Sequence, residues 1–176
     1  MSVYQIRLAQ KEDSAAVLEF YETVIDHMTA TREKPGWKRG VYPEENYLNQ
    51  AIERQDLYLL TEEGQIWAAV ILNHRFDVAY DKVNWLVDAA PEEIIAVHTL
   101  ATHPDRLCTG LAGKLMDYAA DLGRSRGCKS IRLDAWEPNE PAHCFYRSKG
   151  FTPLETLELY YVDTGLSNFV MYEKLI

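Results

Sequence analysis

The stretch that most constrains this chain runs from Ile94 to Lys114. Residues 94–102 form an apolar run rich in β-branched side chains, the character of a buried strand. A short turn with Pro104 follows. From Gly110 onward Leu111, Leu115, Ala119 and Leu122 fall at helical spacing, and the pattern ends near Gly127. A strand that feeds a helix through so short a turn has to lay that helix on a sheet, which makes a layered mixture of helices and strands. The first N–H groups of such a helix lack intrahelical acceptors and face outward, so the turn is a ready anion site. Gly110, Ala112 and Gly113 have little bulk and would let an anion reach the main chain. A Walker-type phosphate loop would need Gly at Cys108 and Ser or Thr at Leu115, and a GxGxxG fingerprint is not matched. Two readings stay open on these residues alone: an anion-binding turn, or small residues that let a helix pack closely on its sheet.

The remaining pattern supports the same architecture. Residues 4–8 alternate as a first strand. Asp13 or Ser14 caps a helix with its apolar stripe at Val17, Leu18, Tyr21, Ile25 and Met28. Residues 31–41, with Pro35, two glycines and the basic side chains Arg32, Lys34, Lys38 and Arg39, read as a loop. Pro43 suits the first turn of a second helix through Tyr47, Leu48 and Ile52. Residues 57–60 and 66–72 flank Glu62-Glu63-Gly64 as a hairpin. Residues 131–135 read as a strand, 141–149 as a short helix closed by Gly150, and 169–175 as the last strand. The expectation is an α/β (α+β) fold in a single domain, 1–176, since a domain spans roughly 100–200 residues.

Charge and cysteine usage narrow the function classes. With 27 acidic against 18 basic side chains and a net charge of −9, the chain is not expected to neutralise a nucleic-acid backbone, which takes a basic face. A cationic small partner fits better. Cys108, Cys128 and Cys144 form no CxxC pair, so neither a disulfide framework nor a zinc site is expected. The N-terminal residues have no signal-peptide pattern, and no apolar run nears the ~20 residues of a membrane span. The expectation is a cytoplasmic protein with no membrane, metal or nucleic-acid partner.

Two segments together carry a family resemblance. Leu107-Cys108-Thr109-Gly110-Leu111-Ala112 resembles the [QR]xxGx[GA] turn in motif A of the GNAT superfamily of acyl-CoA-dependent N-acyltransferases. Gly110, Leu111 and Ala112 fit. Leu107 departs from the pattern, with Arg106 one residue earlier. Downstream, the element NxxAxxFYxxxGF is present without a gap from Asn139 to Phe151. Taken from the residues alone, Asn139 caps a helix, and Tyr146 is packing that shares a helical face with Ala142.

The resemblance implies the GNAT fold, with a central mixed, mostly antiparallel sheet and helices on both faces. It implies acetyl-CoA as cofactor. The pyrophosphate would sit on Leu107, Cys108, Thr109, Gly110, Leu111, Ala112, Gly113 and Lys114. Backbone groups of Leu100 and Thr102 would hold the pantetheine arm, Asn139 would contact it, and Tyr146 would protonate the departing thiolate. The incoming amine must lose a proton before it attacks, its pKa lying near the ~10.4 of lysine. His98, on the strand before the turn and in alternation with Leu100 and Thr102, is the candidate base, with ordered water or a satisfied structural histidine as alternatives. Trp37, Tyr42, Tyr160 and Tyr161 would line an acceptor pocket, the alternative for Trp37 and Tyr42 being that they anchor a long loop. The expected reaction is acetyl transfer from acetyl-CoA to a primary amine in a ternary complex. The acceptor would be a small amine, an amino acid or a peptide N-terminus, and a homodimer is compatible. The alternative is a non-catalytic acyl-CoA sensor or regulatory module.

Overall fold

The long first helix, α1 (Ser14–Thr31), turns Val17, Phe20, Tyr21, Val24 and Ile25 inward, so the stripe is wider than spacing alone suggested. In the computed structural model, which describes residues 3–32 and 36–176, α1 ends at Arg32 in the left-handed region. Lys34 and Pro35 of the expected loop lie outside the described residues. The cap expected at Asp13 is not made by its side chain. That carboxylate instead accepts from the Gln10 N–H (2.7 Å) and from Arg7 (2.6 and 2.8 Å) on strand β1 (Gln5–Leu8). The second helix, α2 (Glu45–Glu53), starts after Pro43 rather than on it, with Glu44 at the cap.

Strands β2 (Leu57–Glu62) and β3 (Gln65–Asn73) form the expected hairpin. Glu63 (φ 51) and Gly64 (φ 80) both take positive φ, as a tight two-residue hairpin turn demands. Then come β4 (Ile94–Thr102), α3 (Leu111–Ser125), β5 (Ser130–Trp136), α4 (Glu140–Ser148), β6 (Thr152–Tyr161) and β7 (Gly165–Leu175). The α3 helix starts one residue after Gly110. The last strand begins at Gly165, four residues before the expected 169. The seven strands make one mixed sheet in the order β1-β2-β3-β4-β5-β7-β6. Its β4–β5 ladder is parallel, and the β1–β2, β2–β3, β5–β7 and β6–β7 ladders are antiparallel.

The chain divides into two compact units. One comprises the residues up to Leu72 with His98–Leu115, and the other Asn73–Val97 with Met116–Ile176. In the first, α1 and α2 cover β2 and β3 with an apolar core that includes Val17, Tyr21, Leu48, Leu57, Leu59 and Ile71. Trp37 belongs to this core and packs on Tyr21 and Tyr42, so it anchors its loop. Arg39 of the basic cluster is paired with Glu22 and Asp26.

In the second unit, β4 and β5 run in parallel from Ile94 to Ala96 against Ser130 to Arg132, and β4 continues to Thr102. Gly123 allows α3 to sit close, since a Cβ there would collide with the Ile176 side chain and crowd Ile95. The segment 73–93, with short 3-10 turns at Val78–Lys82 and Pro91–Glu93, carries Ala79, Tyr80 and Val83 into a second core with Leu159, Phe169 and Met171. Among the described residues, no helix is long and apolar enough to cross a membrane.

Candidate active site

The turn before α3 is built from local bonds. His103 donates its N–H to the Trp67 carbonyl (2.8 Å), and its ring Nδ1 accepts from the Asp105 N–H (3.2 Å). Pro104–Arg106 makes a 3-10 turn, and the Thr109 hydroxyl donates to the Arg106 carbonyl. Cys108 (φ 59) and Gly110 (φ 84) both take the left-handed region. Gly110 faces open space at the position of a Cβ, so the main chain there can be approached closely. The first α3 bond runs from the Lys114 N–H to the Gly110 carbonyl (3.1 Å). The N–H groups of Leu111, Ala112 and Gly113 are therefore the outward donors of a helix start. Leu107, Cys108, Thr109, Gly110 and Lys114 are exposed, Ala112 is half-buried, and Leu111 and Gly113 are buried. Leu111 can serve a ligand only through its backbone.

Arg106 does not replace the missing Gln or Arg at 107. Its guanidinium lies over the Trp67 ring at 4.5 Å and pairs with Glu62 at 3.4 Å. Upstream, His98, Leu100 and Thr102 are half-buried, while Thr99 and Ala101 are buried. Thr99 takes φ 50, which interrupts the regular strand between His98 and Leu100. The Tyr21 hydroxyl, fully buried, donates to the Thr99 carbonyl at 2.9 Å and holds this kink from α1.

In the other unit, Asn139 accepts the Ala142 N–H on its side-chain oxygen at 3.3 Å and so caps α4. His143 fixes the helix. Its Nε2 lies 2.9 Å from the Glu137 carbonyl, which can only accept, so Nε2 carries the proton and Nδ1 accepts from the Tyr172 hydroxyl at 2.8 Å. Tyr146 packs against Phe145, Phe151 and Tyr172 at 5.3–5.8 Å between ring centres. Burial pushes its phenol well above the usual tyrosine value, and the charge of Asp134 adds to this. Tyr146 is therefore fully protonated at neutral pH and able to donate.

Residues 16–151 match the Acetyltransferase (GNAT) family. The chain belongs to this family. Several solved structures of similar fold cover nearly all of it. An acetyltransferase of the GNAT family from Streptococcus agalactiae 2603 is 19% identical, with a TM-score of 0.80 over 98% of this chain and 95% of that one. The structure of yncA from Salmonella typhimurium, solved with its cofactor acetyl-CoA, is 17% identical, with a TM-score of 0.70 over 99% and 94%. The ribosomal-protein-S18-alanine N-acetyltransferase from Escherichia coli is 16% identical, with a TM-score of 0.69 over 99% and 94%.

As a GNAT acetyltransferase, the chain carries the family turn, His98, Leu100 and Thr102 in one compact unit, and Asn139 and Tyr146 in the other. Two features escaped the sequence reading. Tyr21 was visible only as one member of a core stripe. Asp134 stands between Leu133 and Ala135 in an apolar strand and accepts from the hydroxyls of Tyr80 (2.9 Å) and Tyr161 (3.1 Å). A charge at that place in the strand was the available signal. Tyr161 is thus bound to Asp134, while Tyr160 is 70% exposed. Among the described residues, no group of three or more His, Cys, Asp or Glu side chains is arranged to hold a metal ion.

Proposed function

We propose that the protein transfers an acetyl group from acetyl-CoA to a primary amine by direct attack within a ternary complex. The observation that carries this reading is the turn at 107–113. Left-handed Cys108 and Gly110 and an unobstructed approach lead directly into outward N–H donors, a cradle suited to a pyrophosphate. The acetyl-CoA in the yncA structure supports the same cofactor. Backbone donors form the cradle, so Leu107 in place of Gln or Arg is compatible with it.

Backbone N–H groups of Cys108, Thr109, Gly110, Leu111, Ala112 and Gly113 would hold the pyrophosphate, while Leu107 and Lys114, whose N–H groups are bonded to the Pro104 and Gly110 carbonyls, would flank it, Lys114 with its exposed side chain. Leu100 and Thr102 on β4, together with Asn139, would hold the pantetheine arm. Asn139 would use its amide N–H groups, since its oxygen is committed to α4. When bound, the cofactor supplies a thioester, an activated acyl group with a good thiolate leaving group. A β4 backbone N–H polarises the acyl carbonyl. His98, directly or through water, takes the proton from the acceptor ammonium. Tyr146 gives its proton to the departing sulfur. The Escherichia coli neighbour acts on a protein alanine, which keeps a peptide N-terminus among the acceptors considered beside small amines.

Calorimetric titration with acetyl-CoA is expected to show one site, and amines are then screened by release of CoA thiol. Tyr146→Phe is expected to lower turnover by about a hundredfold or more with cofactor affinity nearly unchanged. Absence of cofactor binding overturns the reading. Unchanged turnover in the variant overturns the acid assignment alone.

A further inference from the structure

We propose that Trp67 is a positioning residue for the 107–113 turn. With Glu62 it holds the Arg106 guanidinium, and through Arg106 it keeps the turn in the shape that receives an anion. Naming that anion the acetyl-CoA pyrophosphate rests on the acyl-transfer reading above. The hold on the turn does not.

Trp67 stands outside the ladder register. Leu60 of β2 faces Ala68 of β3 and Thr61 faces Ile66, so Trp67 is the extra residue of a bulge. A bulge shifts the phase of its strand and re-aims the side chain at the extra position. Ile66 thereby joins Ala69 and Ile71 in one core, although strict alternation would put it on the other face. Trp67 is turned to residues 103–106, which belong to the same compact unit. Its carbonyl accepts the His103 N–H at 2.8 Å, its ring meets the His103 ring edge-on at 5.2 Å, and the Arg106 guanidinium lies over it at 4.5 Å. The indole N–H is buried with no protein acceptor among the described residues. Leucine or phenylalanine would fill the place without stranding a donor. What tryptophan adds there is the strongest aromatic face for a cation.

Arg106 carries the hold into the turn. Its guanidinium is fixed by the indole face and by Glu62 at 3.4 Å, and Glu62 ends β2, so one hairpin supplies both contacts. On the main chain, the Arg106 N–H donates to the His103 carbonyl at 2.9 Å, and the Arg106 carbonyl accepts the Thr109 hydroxyl. Fixing Arg106 therefore fixes both ends of the step across Cys108, whose φ of 59 is one that a residue with a side chain rarely adopts unaided. The outward N–H groups begin at that step. A turn already in shape binds an anion without the cost of being ordered by it. Leu107 offers no polar side chain where the family pattern has Gln or Arg, and the hold comes from one position earlier.

Glu62→Gln gives the sharpest test, because two effects oppose each other in sign. Removing a carboxylate near a polyanion strengthens binding by charge alone, whereas loosening Arg106 weakens it. In calorimetric titration of the full chain with acetyl-CoA, Glu62→Gln and Trp67→Leu are each expected to bind about twofold to fivefold more weakly than wild type. Trp67→Phe, which keeps an aromatic face, is expected to fall between Trp67→Leu and wild type. Hydrogen exchange of the free protein is read at the His103, Arg106 and Leu107 amides, which are bonded in the turn. It is expected to quicken there in both weakened variants, while the amides of α1 and β2 exchange as in wild type. Should Trp67→Leu not fold in thermal melts, Glu62→Gln and Trp67→Phe carry the test. The proposal is overturned by Glu62→Gln binding acetyl-CoA as tightly as wild type or more so, or by unchanged exchange at the three amides. It is equally overturned by quickening spread through α1 and β2, which would make Trp67 a packing residue. Absence of acetyl-CoA binding in wild type fails the transfer reading instead. Exchange in the free protein then decides alone: quickening confined to the turn upholds the hold, and its absence overturns it.

Discussion

The two compact units solve the problem of burial differently. In the unit containing α1 and α2, the buried polar residues among those described are Thr61 and Thr99, and the interior is otherwise hydrocarbon and aromatic. In the unit containing α4 and β5–β7 they are Ser130, Arg132, Asn139, His143 and Glu173, most of them bonded to one another's neighbourhood by named contacts. Each such group must find a partner or cost stability. The division follows the chemistry. The first unit presents backbone donors at the 107–113 turn, which an apolar core can support without regard to most side chains. The second presents Tyr146, the proposed acid, as a side chain on α4, and a side chain has to be aimed. His143, held between Tyr172 and the Glu137 carbonyl, supplies that aim from the neighbouring turn of the same helix.

The sharpest way to break this comparison is to cut the buried pair. Arg132 and Glu173 are nearly inaccessible, with 6% and 0% of their side chains exposed. Arg132→Met leaves a carboxylate buried without its cation and is expected to cost about 3–5 kcal/mol, read by urea denaturation. Arg132→Met with Glu173→Leu is expected to recover about half of that loss or more, because both charges leave together. A single variant that costs under about 1 kcal/mol would show that the polar wiring of this unit does not hold it together.

A smaller effect is expected at the point where the first unit does use a polar bond in its core. Tyr21→Phe removes the donor to the Thr99 carbonyl and is expected to cost about 1–2 kcal/mol. Thr99 is β-branched, and its φ of 50 is a conformation such residues rarely adopt unaided. Loss of the bond should therefore also weaken acetyl-CoA binding, because Leu100 follows the kink. Thermal melts and acetyl-CoA titration on the same preparation check both. A variant that is destabilised but binds cofactor as wild type would confine Tyr21 to the core.

These residues also mark where sequence reading stops. The strand–turn–helix at 94–125 and the NxxAxxFYxxxGF element were legible because period, glycine placement and spacing are local signals, and they carried the fold and the family. The Thr99 kink was not, since local propensity favours an extended threonine and the cause lies seventy-eight positions away at Tyr21. Segment 73–93 shows little periodicity, so nothing local announced that Tyr80 would close over β5. Asp134 was legible only as an anomaly in an apolar strand. Asn139 takes the capping reading, its oxygen accepting at the start of α4, and its amide group is the part proposed for cofactor.

The smallest expected effect contrasts an exposed ion pair with the buried one. Arg7 and Asp13 in the first unit meet at 2.6 Å with 34% and 19% of their side chains exposed. The Arg7 hydrogen bond holds the Asp13 carboxyl below its ordinary value, with burial opposing and the Gln10 N–H assisting. A depressed carboxyl binds protons less readily in the folded chain than in the unfolded one. Its contribution is thus fully present above the ordinary aspartate value of about 4 and is lost as pH falls through the folded value. Solvent screening keeps that contribution under about 1 kcal/mol. Melting temperatures between neutral pH and about pH 3 should accordingly fall more steeply for wild type than for Arg7→Gln below about pH 4. The two should run nearly parallel above it. Parallel curves over the whole range would mean that Gln10 alone positions Asp13 and that the pair is incidental. A difference as large as that of Arg132→Met would mean that the first unit, too, depends on charge, and the contrast between the two units would fail.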